Sequence, residues 1–243
     1  MAFVAIIVFI ALHFVTAGYG KFATKKWGPS LNNKLGWILM ESPVFVIMTI
    51  LWALSNRCWE PTLLIIFIIF QAHYFQRSLI FPLMLKGKSS MPLSIIAMGA
   101  IFNTLNAIMQ GGWLFYISPA ERYPVEWLTS WQFICGTTIF IAGFIINLHS
   151  DGIIRGLRKP GDTKHYLPKG GMYNYVTSAN YLGEIMEWIG FAILTWSGAG
   201  AVFALWTFAN LVPRANTIYQ KYKIEFKDEM EGKRLKRVIP FIY

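Results

Sequence analysis

Windows of about 20 mostly apolar residues recur along this chain, the length a helix needs to cross the hydrocarbon core of a bilayer. They fall near residues 2–19, 36–55, 61–84, 92–117, 130–150, 182–197 and 199–213, the last two joined by a short turn around Gly198 and Gly200. Composition points the same way: 55% of the 243 residues are apolar and only 14% are charged, outside the usual soluble range. The expectation is an all-α polytopic membrane protein with seven transmembrane helices, forming a single membrane domain over residues 1–243. The N-terminal run from Ala2 to Val15 has neither a charged start nor a clear small-residue cleavage site, so it reads as a retained span.

The net charge of +10 would suit a nucleic-acid partner, but no basic stripe is interleaved with exposed aromatics in a polar domain, and no nucleic acid is expected. The cations instead follow the loops. Lys21, Lys25, Lys26 and Lys34 fall in the first, Lys86 and Lys88 in the third, and Arg155, Arg158, Lys159, Lys164 and Lys169 in the fifth. Another eight follow the last window, whereas the even loops hold only Arg57 and Arg122. Alternation of this kind places the N-terminus outside and the odd loops and C-terminal tail in the cytoplasm, in either a bacterial inner membrane or the endoplasmic reticulum. Two cysteines, Cys58 and Cys135, form neither a disulfide framework nor a metal spacing.

Ionisable groups inside an apolar slab are costly, so each is a functional candidate. Glu41 lies in the second window beside Pro43; His73, Tyr74, Gln76 and Arg77 cluster in the third; Asn103 and Asn106 lie in the fourth. Asn147, Asp151, Arg155 and Arg158 recur at helical spacing along the end of the fifth, and Asn180, Glu184 and Glu187 do the same on the next. Two polar faces joined by a basic, glycine-containing loop would enclose a large polar ligand carrying phosphates, with Arg158 and Lys159 as anion contacts. The alternative is structural, with Asp151–Arg155 and Glu184–Arg214 pairs that only hold helices together. No G-x-G-x-x-G follows a strand and no P-loop occurs, so a dinucleotide site here is not a Rossmann one. His13, His73, His149 and His165 are dispersed without ligand spacing, and no metal is expected.

Taken together, the segments INLHSDGIIRGLRKPGD, YLPKGGMYNYVTSANYLGEIMEWIGFAILTWS and VIPFIY, with HYFQRSLIFPL and ESP upstream, resemble the steroid 5α-reductase family, the 3-oxo-5α-steroid 4-dehydrogenases. The resemblance covers nearly the whole chain. It implies mainly steroid-binding helices over 1–118, and mainly NADPH-binding helices and cytoplasmic loops over 119–243. Residue by residue, it assigns Glu41 and Tyr74 to the steroid 3-keto oxygen, and Asn147, Asp151, Arg158, Asn180, Glu184, Arg214 and Tyr222 to NADPH. Glu187, on the same helix face, joins the cofactor set. Trp37, which precedes Glu41 by one helical turn, and Phe115 are candidates for lining a flat sterol pocket. Phe81, Lys88, His165–Tyr166 and Ile218 stand where animal members carry other residues, which bears on the preference for NADPH over NADH.

The implied chemistry is NADPH-dependent reduction of the C4=C5 bond of a 3-oxo-Δ4-steroid, with hydride arriving at C5 and the carbonyl oxygen polarised as it gains charge. Tyr74 is a donor at physiological pH, and Glu41 is one only when protonated, a form favoured where charge is penalised by an apolar span. A neutral acid paired with a tyrosine is also how the ketosteroid isomerase oxyanion hole is built. Other classes remain open at this point: a reductase of another enone or enoyl lipid, of polyprenal or enoyl-CoA type, or a membrane methyltransferase using S-adenosylmethionine. The expected partners are the steroid and the lipid bilayer, with no obligate protein partner.

Overall fold

A computed structural model of the chain describes residues 2–14, 27–86, 89–157 and 165–243. It is mostly helical. The helices are α1 (Ala2–Phe14), α2 (Asn33–Ala53), α3 (Pro61–Phe75), α4 (Phe81–Met84), α5 (Leu93–Gly112), α6 (Trp131–Gly156), α7 (Ala179–Thr195), α8 (Gly198–Glu225) and α9 (Lys227–Met230). A π-helical turn, Gln76–Ile80, joins α3 to α4, and another, Trp113–Ile117, closes α5. Four of the described helical stretches are long and apolar enough to cross a membrane: Asn33–Ala53, Pro61–Met84, Leu93–Ile117 and Trp131–Gly156. Their outward faces carry large apolar groups such as Val46, Ile68, Ile101 and Ile145, as helices facing lipid do.

The described chain forms two compact units. In one, α2 packs along α5 through close approaches at glycines. A Cβ at Gly111 would lie 2.7 Å from Leu51 Cδ1, and one at Gly99 would run into the Met40 side chain. Ahead of these helices, β1 (Ser30–Asn32) pairs antiparallel with β2 (Ser90–Pro92), with Leu31 opposite Met91. This short ladder sets the starts of α2 and α5 side by side. Pro43 sits inside α2, where its missing N–H removes one helical hydrogen bond next to Glu41.

The other unit holds α1, α6 from Cys135 onward, α7, α8, α9 and the C-terminal tail. Here α6 and α7 meet backbone to backbone at two glycine pairs. A Cβ at Gly143 would stand 2.6 Å from Gly183 O, and one at Gly190 would stand 2.6 Å from Gly136 O. Small residues at membrane-helix contacts permit this approach, and dispersion contacts between the backbones reward it. A tight turn follows α7. Trp196 takes a left-handed conformation at φ 45°, and the Ser197 hydroxyl caps α8 by accepting from Gly200 N at 3.0 Å. Tyr173, Val176, Leu182, Ile185, Leu211, Val212 and Val238 form the buried core beneath. The tail is tied to this core by Lys236 N donating to Tyr175 O and Thr177 N donating to Lys236 O, both at 2.9 Å.

Candidate functional site

In the first unit, α5 carries amides that reach both residues expected at the steroid oxygen. Asn103 Nδ2 donates to Glu41 Oε2 at 3.1 Å and to Met40 O at 2.8 Å, on the turn of α2 that Pro43 weakens. One turn along α5, Asn106 Nδ2 donates to the Tyr74 hydroxyl oxygen at 3.0 Å, and Gln110 Nε2 donates to Asn106 Oδ1 at 3.3 Å. Asn106, Gln110 and Tyr74 are all buried. An amide N–H on the phenol oxygen directs the phenol's own proton away from Asn106. The Tyr74 ring is set edge-on to His73 at 5.0 Å and tilted against Phe70 at 4.8 Å. Ser78 Oγ donates to Tyr74 O, bracing the start of the π turn.

Trp37 stands edge-on to Phe81 at 5.3 Å, and the Arg77 guanidinium lies 4.7 Å from the Trp37 ring centre and 4.8 Å from that of Phe81. The expected pocket residue Trp37 is thus part of an aromatic and cationic cluster one helical turn from Glu41. Phe115 is buried in the π turn after α5 and packs against Phe67, which stacks in turn on Trp52.

In the second unit, three of the residues expected at the cofactor form one hydrogen-bonded set. Asn147 Nδ2 donates to Asn180 O at 2.9 Å, and Asn180 Nδ2 donates to Asp151 Oδ1 at 3.2 Å. The contact follows from the glycine pairs, since Gly183 lets Asn147 approach within one turn of Asn180. Tyr173 OH reaches Asn180 Oδ1 at 3.5 Å from the segment before α7. Burial pushes the Tyr173 hydroxyl well above its ordinary range, and the neighbouring Asp151 and Tyr222 push it further. Glu184 and Glu187 follow on α7, with Glu187 fully buried. On α8, the Arg214 guanidinium lies 5.7 Å from the Tyr181 ring centre and Tyr222 is buried. Arg158, Lys159 and Lys88 lie outside the described residues.

Sequence reading gave no role to several residues placed here. Asn103 and Asn106 stood out as polar groups in a span, but their pairing with Glu41 and Tyr74 did not. Gln110, one turn beyond Asn106, carried the same signal. Ser150 Oγ, Arg155 Nη1 and Ser178 Oγ are buried and find no hydrogen-bond partner among the described residues. They flank Asp151 and Asn180 in sequence, and buried polar atoms of this kind call for a partner.

Long apolar helices with carboxylate, phenol and amide groups on their inner faces define a membrane protein with polar sites inside its spans. The chain belongs to the 3-oxo-5-alpha-steroid 4-dehydrogenase family, an oxidoreductase family, whose model matches residues 89–243. It is 38% identical over 244 residues to steroid 5-alpha-reductase DET2 of Gossypium hirsutum, covering 99% of this chain and 93% of that protein. Identity to DET2 of Arabidopsis thaliana is 36% over 240 residues, with 96% and 90% covered. Identity to 3-oxo-5-alpha-steroid 4-dehydrogenase 1 of Homo sapiens is 35% over 227 residues, with 93% and 86% covered.

Proposed function

We propose that the protein reduces the C4=C5 double bond of 3-oxo-Δ4-steroids to 5α-3-oxosteroids, using NADPH. The observation that carries this reading is the pair Glu41 and Tyr74, each hydrogen-bonded by an amide of α5. When bound, NADPH would supply the hydride that C5 accepts. As charge moves onto the 3-keto oxygen, the Tyr74 hydroxyl and the protonated Glu41 carboxyl donate hydrogen bonds to it, stabilising the enolate, and C4 then takes a proton supplied by solvent to give the saturated ketone. Donors already fixed by neighbours lose little freedom as the charge develops. Trp37 and Phe115 would offer apolar walls for the fused rings.

The cofactor would be held by Asn147, Asp151, Asn180, Glu184, Glu187, Arg214 and Tyr222, together with Arg158. The buried hydroxyls of Ser150 and Ser178 and the Arg155 N–H support this fit, because a ligand bearing hydroxyls, phosphates and a carboxamide would satisfy them. The steroid-binding part would then lie mainly within 1–118 and the cofactor-binding part within 119–243. Seven spans, with the N-terminus outside and the tail cytoplasmic, would put the basic loops where NADPH is available.

Tyr74→Phe and Glu41→Leu, each of which removes a donor, test the assignment. Each is expected to slow turnover about 10²–10³-fold, the effect of losing one oxyanion-hole donor, while NADPH binding is kept. Near-normal turnover by both variants with NADPH binding intact would contradict it.

A further inference from the structure

Val238 is fully buried, yet Phe241 and Ile242 just beyond it stand 78% and 75% exposed, with the Phe241 ring edge-on to Tyr175 at 5.5 Å. The local backbone explains how they are held out. Ile239–Ile242 is a β-turn closed by Ile242 N donating to Ile239 O at 3.2 Å, with Pro240 in the second place and Phe241 in the third at φ 65°. A positive φ in the third place, behind a proline, is where a turn favours glycine, and a bulky side chain there costs backbone energy. The turn is locked all the same. Val238 N and Ile239 N both donate to Tyr243 O at 2.8 Å, and Tyr243 N donates to Ile239 O at 3.0 Å. A large aromatic group thus occupies a strained, rigid tip that projects away from the core Val238 enters.

The depth of the tip follows from its neighbours in the same unit. Lys236 N donates to Tyr175 O and Thr177 N donates to Lys236 O, so the tail runs beside the segment leading into α7. That segment lies against the end of α6. A Cβ at Gly171 would meet His149 Cε1 at 2.5 Å and Ile153 Cδ1 at 3.7 Å, and Asn180 is bonded to Asn147 and Asp151. These are the last turns of a helix long and apolar enough to cross a membrane. An apolar tip at the level where a span ends meets the boundary between headgroups and acyl chains, where aromatic side chains of membrane proteins concentrate. Charge does not select the lipid, because Asp228 and Glu231 are exposed on the tail alongside Lys233 and Arg234.

We propose that Phe241 and Ile242, with Tyr175 beside them, form an interfacial anchor that inserts into the headgroup and acyl boundary of the bilayer the protein spans. Burial of the two apolar side chains drives the insertion and offsets the strain at Phe241. Through Lys236 the anchor ties the start of α7 to the membrane surface. It stands apart from the reductase reading and holds whatever the substrate and cofactor are.

The test uses the full-length protein carrying Cys58→Ser and Cys135→Ser, with one nitroxide-labelled cysteine at a time, in phosphatidylcholine nanodiscs. Collisions with oxygen, which partitions into lipid, are compared with collisions with a water-soluble nickel chelate. Ile145→Cys, on the exposed apolar side of α6, marks lipid, and Glu231→Cys, exposed on the same tail, marks water. Phe241→Cys and Ile242→Cys are expected to favour oxygen several-fold over Glu231→Cys and to approach Ile145→Cys. The preference should persist when phosphatidylglycerol is added or salt is raised. Ile242→Cys, at an ordinary φ, decides the question by itself where Phe241→Cys alters the turn. Nickel collisions at Ile242→Cys equal to those at Glu231→Cys would put the tip in water and overturn the proposal. Shielding from both probes would reveal a protein surface over the tip, and an oxygen preference that appears only with phosphatidylglycerol would reveal capture by the cations; either result overturns it too.

Discussion

Replacing Gly183 with alanine probes how α6 and α7 set the residues proposed to hold the cofactor. A Cβ there would lie 2.5 Å from Asn147 N, 2.6 Å from Gly143 O and 2.9 Å from Asn147 Cα, whereas ordinary contact begins at 3.4 Å. All three obstacles are backbone atoms, so no rotamer change relieves them and the helices must separate by about 1 Å. Overpacking of this kind costs about 1–3 kcal/mol. The same displacement carries the Asn147 Nδ2 to Asn180 O bond, 2.9 Å in the native chain, out of hydrogen-bond range. Equilibrium unfolding in mixed detergent measures the stability, with NADPH affinity measured in parallel. Gly156→Ala is the control, because a Cβ there meets nothing within 4 Å. Gly183→Ala is expected to lose about 2 kcal/mol and to bind NADPH more weakly, while Gly156→Ala is neutral or gains up to about 1 kcal/mol from helix propensity. Equal stability and equal NADPH affinity for the two variants would refute the close-packing argument.

Asn106→Leu removes the amide on Tyr74 and should lower kcat about tenfold with little change in steroid KM, whereas Asn106→Gln, which keeps an amide N–H donor, should recover part of the loss. Arg57 spans two loops, with Nη1 on Ser118 O at 3.0 Å and Nε on Glu60 Oε1 at 2.9 Å. Arg57→Lys cannot reproduce that fork and should cost about 1–3 kcal/mol in a melting experiment. Burial of Tyr173 raises its hydroxyl above the ordinary value of 10.0, so the folded chain keeps a proton that the unfolded chain releases. Stability should therefore fall as pH climbs past 10, and Tyr173→Phe should flatten that part of a melting-temperature profile.

The long helices were legible because 20-residue apolar windows report the length of a span directly. Membership of the family was legible in contiguous segments such as that around Asn147 and Asp151. Pairings between helices were not. Asn103 and Asn106 are three apart on α5, a spacing that gives a common side but does not say that Glu41 and Tyr74 lie against it. The seven-residue spacing of Gly136 and Gly143, matched by Gly183 and Gly190, was a readable signal for a close helix pair. The three-residue ladder between Ser30–Asn32 and Ser90–Pro92 left none, since so short a strand has no period. Nor did the π turn at Gln76–Ile80, whose extra residue per turn is imposed by packing rather than by composition.

Reduction of the enone is the claim on which the rest depends, and its most direct measurement is the ultraviolet absorbance of a 3-oxo-Δ4-steroid such as testosterone or progesterone. Incubated with purified protein and NADPH, the conjugated band should disappear in step with NADPH oxidation and should persist when S-adenosylmethionine replaces the dinucleotide. A band that persists with NADPH, in preparations shown to bind both ligands, would contradict the account.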